Sequence, residues 1–180
     1  MARGPRSDSL NGCCNVTAMR RSLVALTVAG LLVAPALLID GTAGASGSSV
    51  PVVVNGSNLD KAPVVKAGKK PAPTTLETKD LVVGTGTVAA AGDTVGVKYV
   101  GANYANGKDF TPEWTSGKPT SFPLSGVIPG FAQGIEGMKV GGRREIVIPW
   151  TLGYGAKGQG PIKPKETLVF VVDLKSVSAS

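Results

Sequence analysis

"GVIPGFAQGIEGMKVGGRR", running from Gly126 to Arg144, is the stretch that decides how this chain folds. It carries six glycines and a proline, yet Phe131, Ile135 and Met138 recur at i, i+4 and i+7. That spacing lines one face of about two helical turns with apolar side chains. Pro129 suits the first helical position, where its missing N–H costs nothing. Gly141-Gly142 should end the element and let the chain reverse into "RREIVIP". The stretch therefore predicts one short helix laid across the buried face of a sheet.

The flanking segments supply that sheet. "LETKDLVV" from Leu76 is rich in β-formers and stops at "GTGT". "DTVGVKYVG" puts Val95, Val97 and Tyr99 on one face, with Thr94, Lys98 and Val100 near the other. "SFPLS" is a short strand interrupted by Pro123, which belongs at an edge. "REIVIP" aligns Ile146 with Ile148, and "ETLVFVVDLKSV" aligns Leu168, Phe170, Val172 and Leu174. Strands dominate and most connections are short, so an α+β fold is expected: an antiparallel β-sheet wrapped around one short α-helix.

Composition excludes several chemistries. The chain has no histidine, which removes Ser-His-Asp and Cys-His catalysis and the commonest metal ligand. Its two cysteines, Cys13 and Cys14, are adjacent and near the N-terminus, so neither a disulfide framework nor a Cys₄ site can be built. No metal and no cofactor are expected. The acidic residues form no obvious pair for two-carboxylate hydrolysis. Net charge is +7, but the lysines are scattered and lack interleaved aromatics, so no nucleic-acid partner is expected. Lys139, Arg143 and Arg144 read as a solvated turn. "GTGTVA" at Gly84 matches a dinucleotide fingerprint but leads into another strand rather than a helix, so it reads as a turn.

The N-terminus reads as an address. Arg20-Arg21 precede an uncharged apolar run, Ser22 to Ile39, followed by the small-residue site Ala43-Gly44-Ala45. This is the pattern of a secretory signal peptide over 1–45. An uncleaved membrane anchor is the competing reading, since the run nears spanning length. Secretion or another extracytoplasmic location is expected, with membrane contact only if the segment stays uncleaved. Residues 46–75, rich in Pro, Gly, Ser and Lys, read as an extended linker with room for one docked segment. The folded domain is expected over 76–180.

The blocks "VGVKYVGANYANGKDF", "GVIPGFAQGIEGMKVGGRREIVIP", "GYGAKGQG" and "ETLVFVVDL", in that order, resemble the FKBP-type peptidyl-prolyl isomerases over about Leu76 to Val177. The resemblance implies a proline pocket. Tyr99, Phe110, Val127, Ile128, Phe131, Tyr154 and Phe170 match its catalytic positions. Phe122, Thr111 and Ile162 match further substrate-binding ones, Ile162 in a flap one residue short. The Ile128 N–H and the Tyr154 hydroxyl match groups that hold the ligand carbonyl. Phe131 stands where the family usually has a tryptophan. Thr111 replaces the family's aspartate, and the arginine that pairs with it has no counterpart near Ser116 and Gly117. Losing both partners leaves no orphaned buried charge, but it weakens the expected binding of macrolide ligands. The resemblance implies action on proline-containing polypeptides; with the signal segment, the expected clients are exported proteins, and a monomer is expected. A proline-binding module or holdase with little turnover is the alternative.

Overall fold

The computed structural model describes residues 49–111, 114 and 117–179. The segment read as a signal peptide or anchor lies outside them. In chain order the elements are β1 (Val53–Val54), β2 (Val64–Val65), β3 (Glu77–Val82), β4 (Thr94–Asn103), β5 (Thr120–Pro123), α1 (Pro129–Ile135), β6 (Arg143–Ile148) and β7 (Leu168–Ser178). Strands β3 to β7 form one antiparallel sheet in the order β3-β6-β7-β4-β5. Pro123 ends β5, an edge strand, where its missing donor breaks no ladder. The architecture is the expected antiparallel sheet around one short helix.

The inner face is the alternation read from the sequence. Val95, Val97, Ile146, Ile148, Leu168, Phe170, Val172 and Leu174 are all buried there. Helix α1 lies across them and sets Phe131 and Ile135 into the same core. It can come this close because Gly130 and Gly134 face β6. A methyl group at Gly130 would sit 2.3 Å from Ile148, and one at Gly134 2.5 Å from Ile146.

The helix is shorter than the stripe predicts. It stops at Ile135 because Gly137 takes φ 78°, a left-handed conformation that helices use to end. Met138 still reaches the core, and its N–H donates to the Ile135 carbonyl from outside the helix. Gly141-Gly142 instead make the turn into β6. Arg144 secures the helix end. It pairs with Asp80 of β3 at 2.6 Å and donates to the Gly134 and Glu136 carbonyls at 3.1 Å.

The outer face corrects two expectations. Much of the segment expected as a linker packs on the sheet. Strands β1 and β2 pair as a short antiparallel hairpin. Val65 joins Val147, Val169, Val171, Ala102 and Tyr104 in a second core, with Val50, Val53 and Leu81 against it. Further along, the Tyr104 hydroxyl lies 2.7 Å from the Ser49 and Lys69 carbonyl oxygens, and the Gly68 N–H donates to the Tyr104 carbonyl. Burial raises the Tyr104 phenol, with the Glu77 carboxylate adding to the effect.

The basic turn is not solvated either. Arg143 is fully buried and pairs with the equally buried Asp173. Its Nη1 donates to the Asn55 and Asn58 carbonyls, both at 2.8 Å. The guanidinium thus clasps the loop between β1 and β2, and the Trp114 ring stacks over it at 4.9 Å. Next to Arg143 on this face, Glu145 is also fully buried. Neither of its oxygens has a hydrogen-bond partner among the described residues. Burial pushes this carboxyl up to about 7, opposed only in part by Lys79 across the ladder.

Candidate functional site

The inner face opens at one end into a cavity of about 480 Å³, a volume that suits a small ligand or a few residues of peptide. Its floor and walls are aromatic because four elements each contribute a ring. Strand β4 supplies Tyr99, α1 supplies Phe131 and β7 supplies Phe170. Strand β5 adds Phe122 at the side.

Phe131 is the hub of these rings. It lies 5.7 Å from Tyr99, 5.7 Å from Phe122 and 5.0 Å from Phe170, centre to centre. The contacts with Tyr99 and Phe170 are edge-to-face, the favoured arrangement for aromatic quadrupoles. Phe131 is only 4 % exposed and Phe170 5 %, so the two form a floor that barely meets solvent.

The polar groups sit at the rim. Ile128 precedes α1 with an extended backbone, and its carbonyl accepts from the Phe131 and Ala132 N–H groups. Its own N–H makes no hydrogen bond to the described residues. Tyr154, carried on the segment between β6 and β7, lines the same cavity. Gly126, Val127 and Gln159 complete the lining.

The structure thus brings Tyr99, Phe122, Val127, Ile128, Phe131, Tyr154 and Phe170 around one cavity. Three other predicted residues stand outside its lining. Phe110 packs against Phe170, edge to face at 5.9 Å. Thr111 accepts a hydrogen bond from the Gly101 N–H at 2.7 Å. Ile162 is buried in the core, and its N–H donates to the Gln159 carbonyl. That bond is reciprocated by the Gln159 N–H. The tight turn so formed carries Gln159 to the rim.

Gln159 and Gly126 are lining residues that the sequence reading missed. The flap holding Gln159 has no periodicity to expose its direction. The one available signal was a polar residue just before Gly160-Pro161, at a turn that follows Tyr154. The chemistry on offer is limited and specific. An apolar box with one backbone donor and one phenol can grip a ring and a carbonyl, but it supplies no nucleophile. Among the described residues, no cluster of three or more acidic, histidine or cysteine side chains could hold a metal.

Comparison with known proteins agrees with this geometry. Residues 85–175 match the family model described as FKBP-type peptidyl-prolyl cis-trans isomerase. An FK506-binding protein of Streptomyces anulatus is 47 % identical over 124 residues, covering 67 % of this chain and 99 % of its own length. The FKBP-type isomerase FkpA of Escherichia coli K12 is 42 % identical over 110 residues, covering 61 % of this chain and 40 % of its own. The crystal structure of FkpA from Escherichia coli superimposes with a TM-score of 0.56 at 39 % identity, over 62 % of this chain and 53 % of that one. The structure of AtFKBP13 gives 0.54 at 34 % identity, over 59 % and 96 %.

Proposed function

The chain belongs to the FKBP-type peptidyl-prolyl cis-trans isomerases, and from that premise we propose how its cavity turns X–Pro bonds. The barrier to be lowered is lost amide resonance, about 18–20 kcal/mol. Unaided rotation takes tens to hundreds of seconds. No covalent step is needed, which suits a cavity without a nucleophile.

Phe131 and Phe170 hold the pyrrolidine ring, with Tyr99, Phe122 and Val127 closing round it. The twisted amide carries less charge separation than the planar one. An apolar box therefore disfavours the planar ground state more than the transition state. The Ile128 N–H and the Tyr154 hydroxyl donate to the carbonyls flanking the rotating bond. The observation that carries this reading is a single cavity whose lining joins the aromatic floor of Phe131 and Phe170 to Ile128 and Tyr154.

Proteins of this family bind proline-containing substrates and FK506-type ligands. In this chain Thr111 supplies no carboxylate to a macrolide, so FK506 binding is weak. The clients are exported polypeptides, and the protein acts as a monomer. What supports export is the apolar run behind Arg20-Arg21 and the small-residue site at Ala43 to Ala45. Among the described residues no helix is long and apolar enough to cross a membrane. The N-terminal sequence of the mature protein decides between cleavage and anchoring.

A protease-coupled isomerisation assay tests the mechanism on the full chain beside Tyr154→Ala and Phe131→Ala. Acceleration by the parent that collapses in both variants supports it. Retained acceleration in both refutes the assigned roles. Binding of X–Pro peptides without acceleration by the parent would favour a proline-binding module instead.

A further inference from the structure

We propose that Asp109 and Thr111 are positioning residues for the isomerase site, a two-residue hydrogen-bond relay that holds Phe110 against Phe170. This rests on reading the cavity as that site. The segment Lys108–Phe110 runs antiparallel to the end of β4. The Asn103 N–H donates to the Lys108 carbonyl, and the Phe110 N–H to the Gly101 carbonyl. In a regular ladder the Gly101 N–H would answer to the Phe110 carbonyl. Here it donates instead to Thr111 Oγ1 at 2.7 Å. A side-chain oxygen has taken over one rung, at the point where the chain leaves the strand.

The hydroxyl can accept there because its proton is engaged elsewhere. Thr111 Oγ1 donates to Asp109 Oδ1 at 3.3 Å, and the Thr111 N–H donates to the same oxygen at 2.8 Å. Asp109 is exposed, so its charge stays in water while a neutral hydroxyl meets the strand. The relay thus delivers an oriented acceptor to Gly101 without burying a carboxylate.

Gly101 is where this matters for the cavity. A methyl group there would meet the Phe110 and Phe170 rings at 2.8 Å each. The two rings therefore close over a bare backbone, and Phe110 presses its edge on a residue that lines the cavity. Fixing Gly101 from both sides fixes Phe110, and Phe110 sets the rotamer freedom of Phe170.

The test uses the full chain with Thr111→Val, Thr111→Ser, Asp109→Asn and Asp109→Ala. Two readouts are taken: kcat/KM for an X–Pro peptide, and nuclear Overhauser contacts between the Phe110 and Phe170 rings. One lost hydrogen bond corresponds to about a tenfold loss of kcat/KM in Thr111→Val. Thr111→Ser restores kcat/KM to within about threefold, because the acceptor returns. Asp109→Asn keeps an acceptor oxygen and behaves like Thr111→Ser. Asp109→Ala, on an exposed side chain that leaves the fold intact, loses activity and weakens the ring contacts. Unchanged ring contacts in both Thr111→Val and Asp109→Ala overturn the relay, as does equal loss in Thr111→Ser and Thr111→Val. A parent without turnover overturns the reading of the cavity, while the ring contacts still report on the relay by themselves.

Discussion

Replacing Glu145 by glutamine should stabilise the protein in mild alkali and do almost nothing in acid. The carboxyl is fully buried on the face of β6 that also carries Arg143 and Val147, with no hydrogen-bond partner among the described residues. The charged groups nearest along the ladders are otherwise placed. Arg143 is engaged by Asp173 and the hairpin carbonyls, Lys175 pairs with Asp173, and only Lys79 faces Glu145 across the strands. Burial moves the group from 4.5 to about 7. At ~1.4 kcal/mol for each tenfold change in proton affinity, the displacement sets a ceiling of about 3 kcal/mol. The sign follows from which state holds the proton. Below 4.5 both folded and unfolded chains are protonated, and nothing is lost. Between 4.5 and about 7 the unfolded chain ionises first, so stability falls as pH rises. Above that window both states are ionised and the loss is constant. The amide keeps the volume and drops the charge. Urea denaturation at about pH 4 and about pH 8.5 should therefore give similar midpoints for parent and variant in acid, with the variant more stable by about 1–3 kcal/mol in alkali. If parent and variant lose the same stability between those two conditions, the buried carboxyl is not the titrating group and the reasoning fails.

Three further outcomes follow from the packing. Arg143→Met leaves Asp173 buried without its main partner and should cost about 3–5 kcal/mol by thermal or urea denaturation. Adding Asp173→Leu should recover most of that loss. Removing residues 46–75 uncovers Val147, Val169 and Val171, and the shortened chain should bind a hydrophobic dye and aggregate where the full chain does neither. Gly130→Ala forces a methyl group to 2.3 Å from Ile148; its thermal midpoint should drop by the equivalent of about 1–3 kcal/mol.

The inner layer was legible because its physics is periodic. Alternation in β4, β6 and β7 and the Phe131–Ile135 spacing each point inward, and the structure buries those residues. The helix end was less legible, since either Gly137 or Gly141 could have taken the terminating conformation. The outer layer was nearly invisible. Its hairpin turns few side chains inward, Val53 and Val65 among them, and is otherwise held by backbone carbonyls, which carry no residue code. Arg143 looked like surface for the same reason, because its acceptors lie far away in sequence. The cavity rings came from a family likeness laid over the strand pattern, whereas Gln159 depends on a turn whose geometry no spacing discloses.

The Arg143 clasp also orders events in time. Its guanidinium bonds carbonyls 88, 85 and 82 residues earlier in the chain. During synthesis the hairpin emerges first, with nothing to rest on. The strands that receive it, β6 and β7, come last. Contacts this distant in sequence slow the search for the native topology. The first-made part of the domain is thus the last to be sealed, and until then the valines of both layers stay open to water and to other chains.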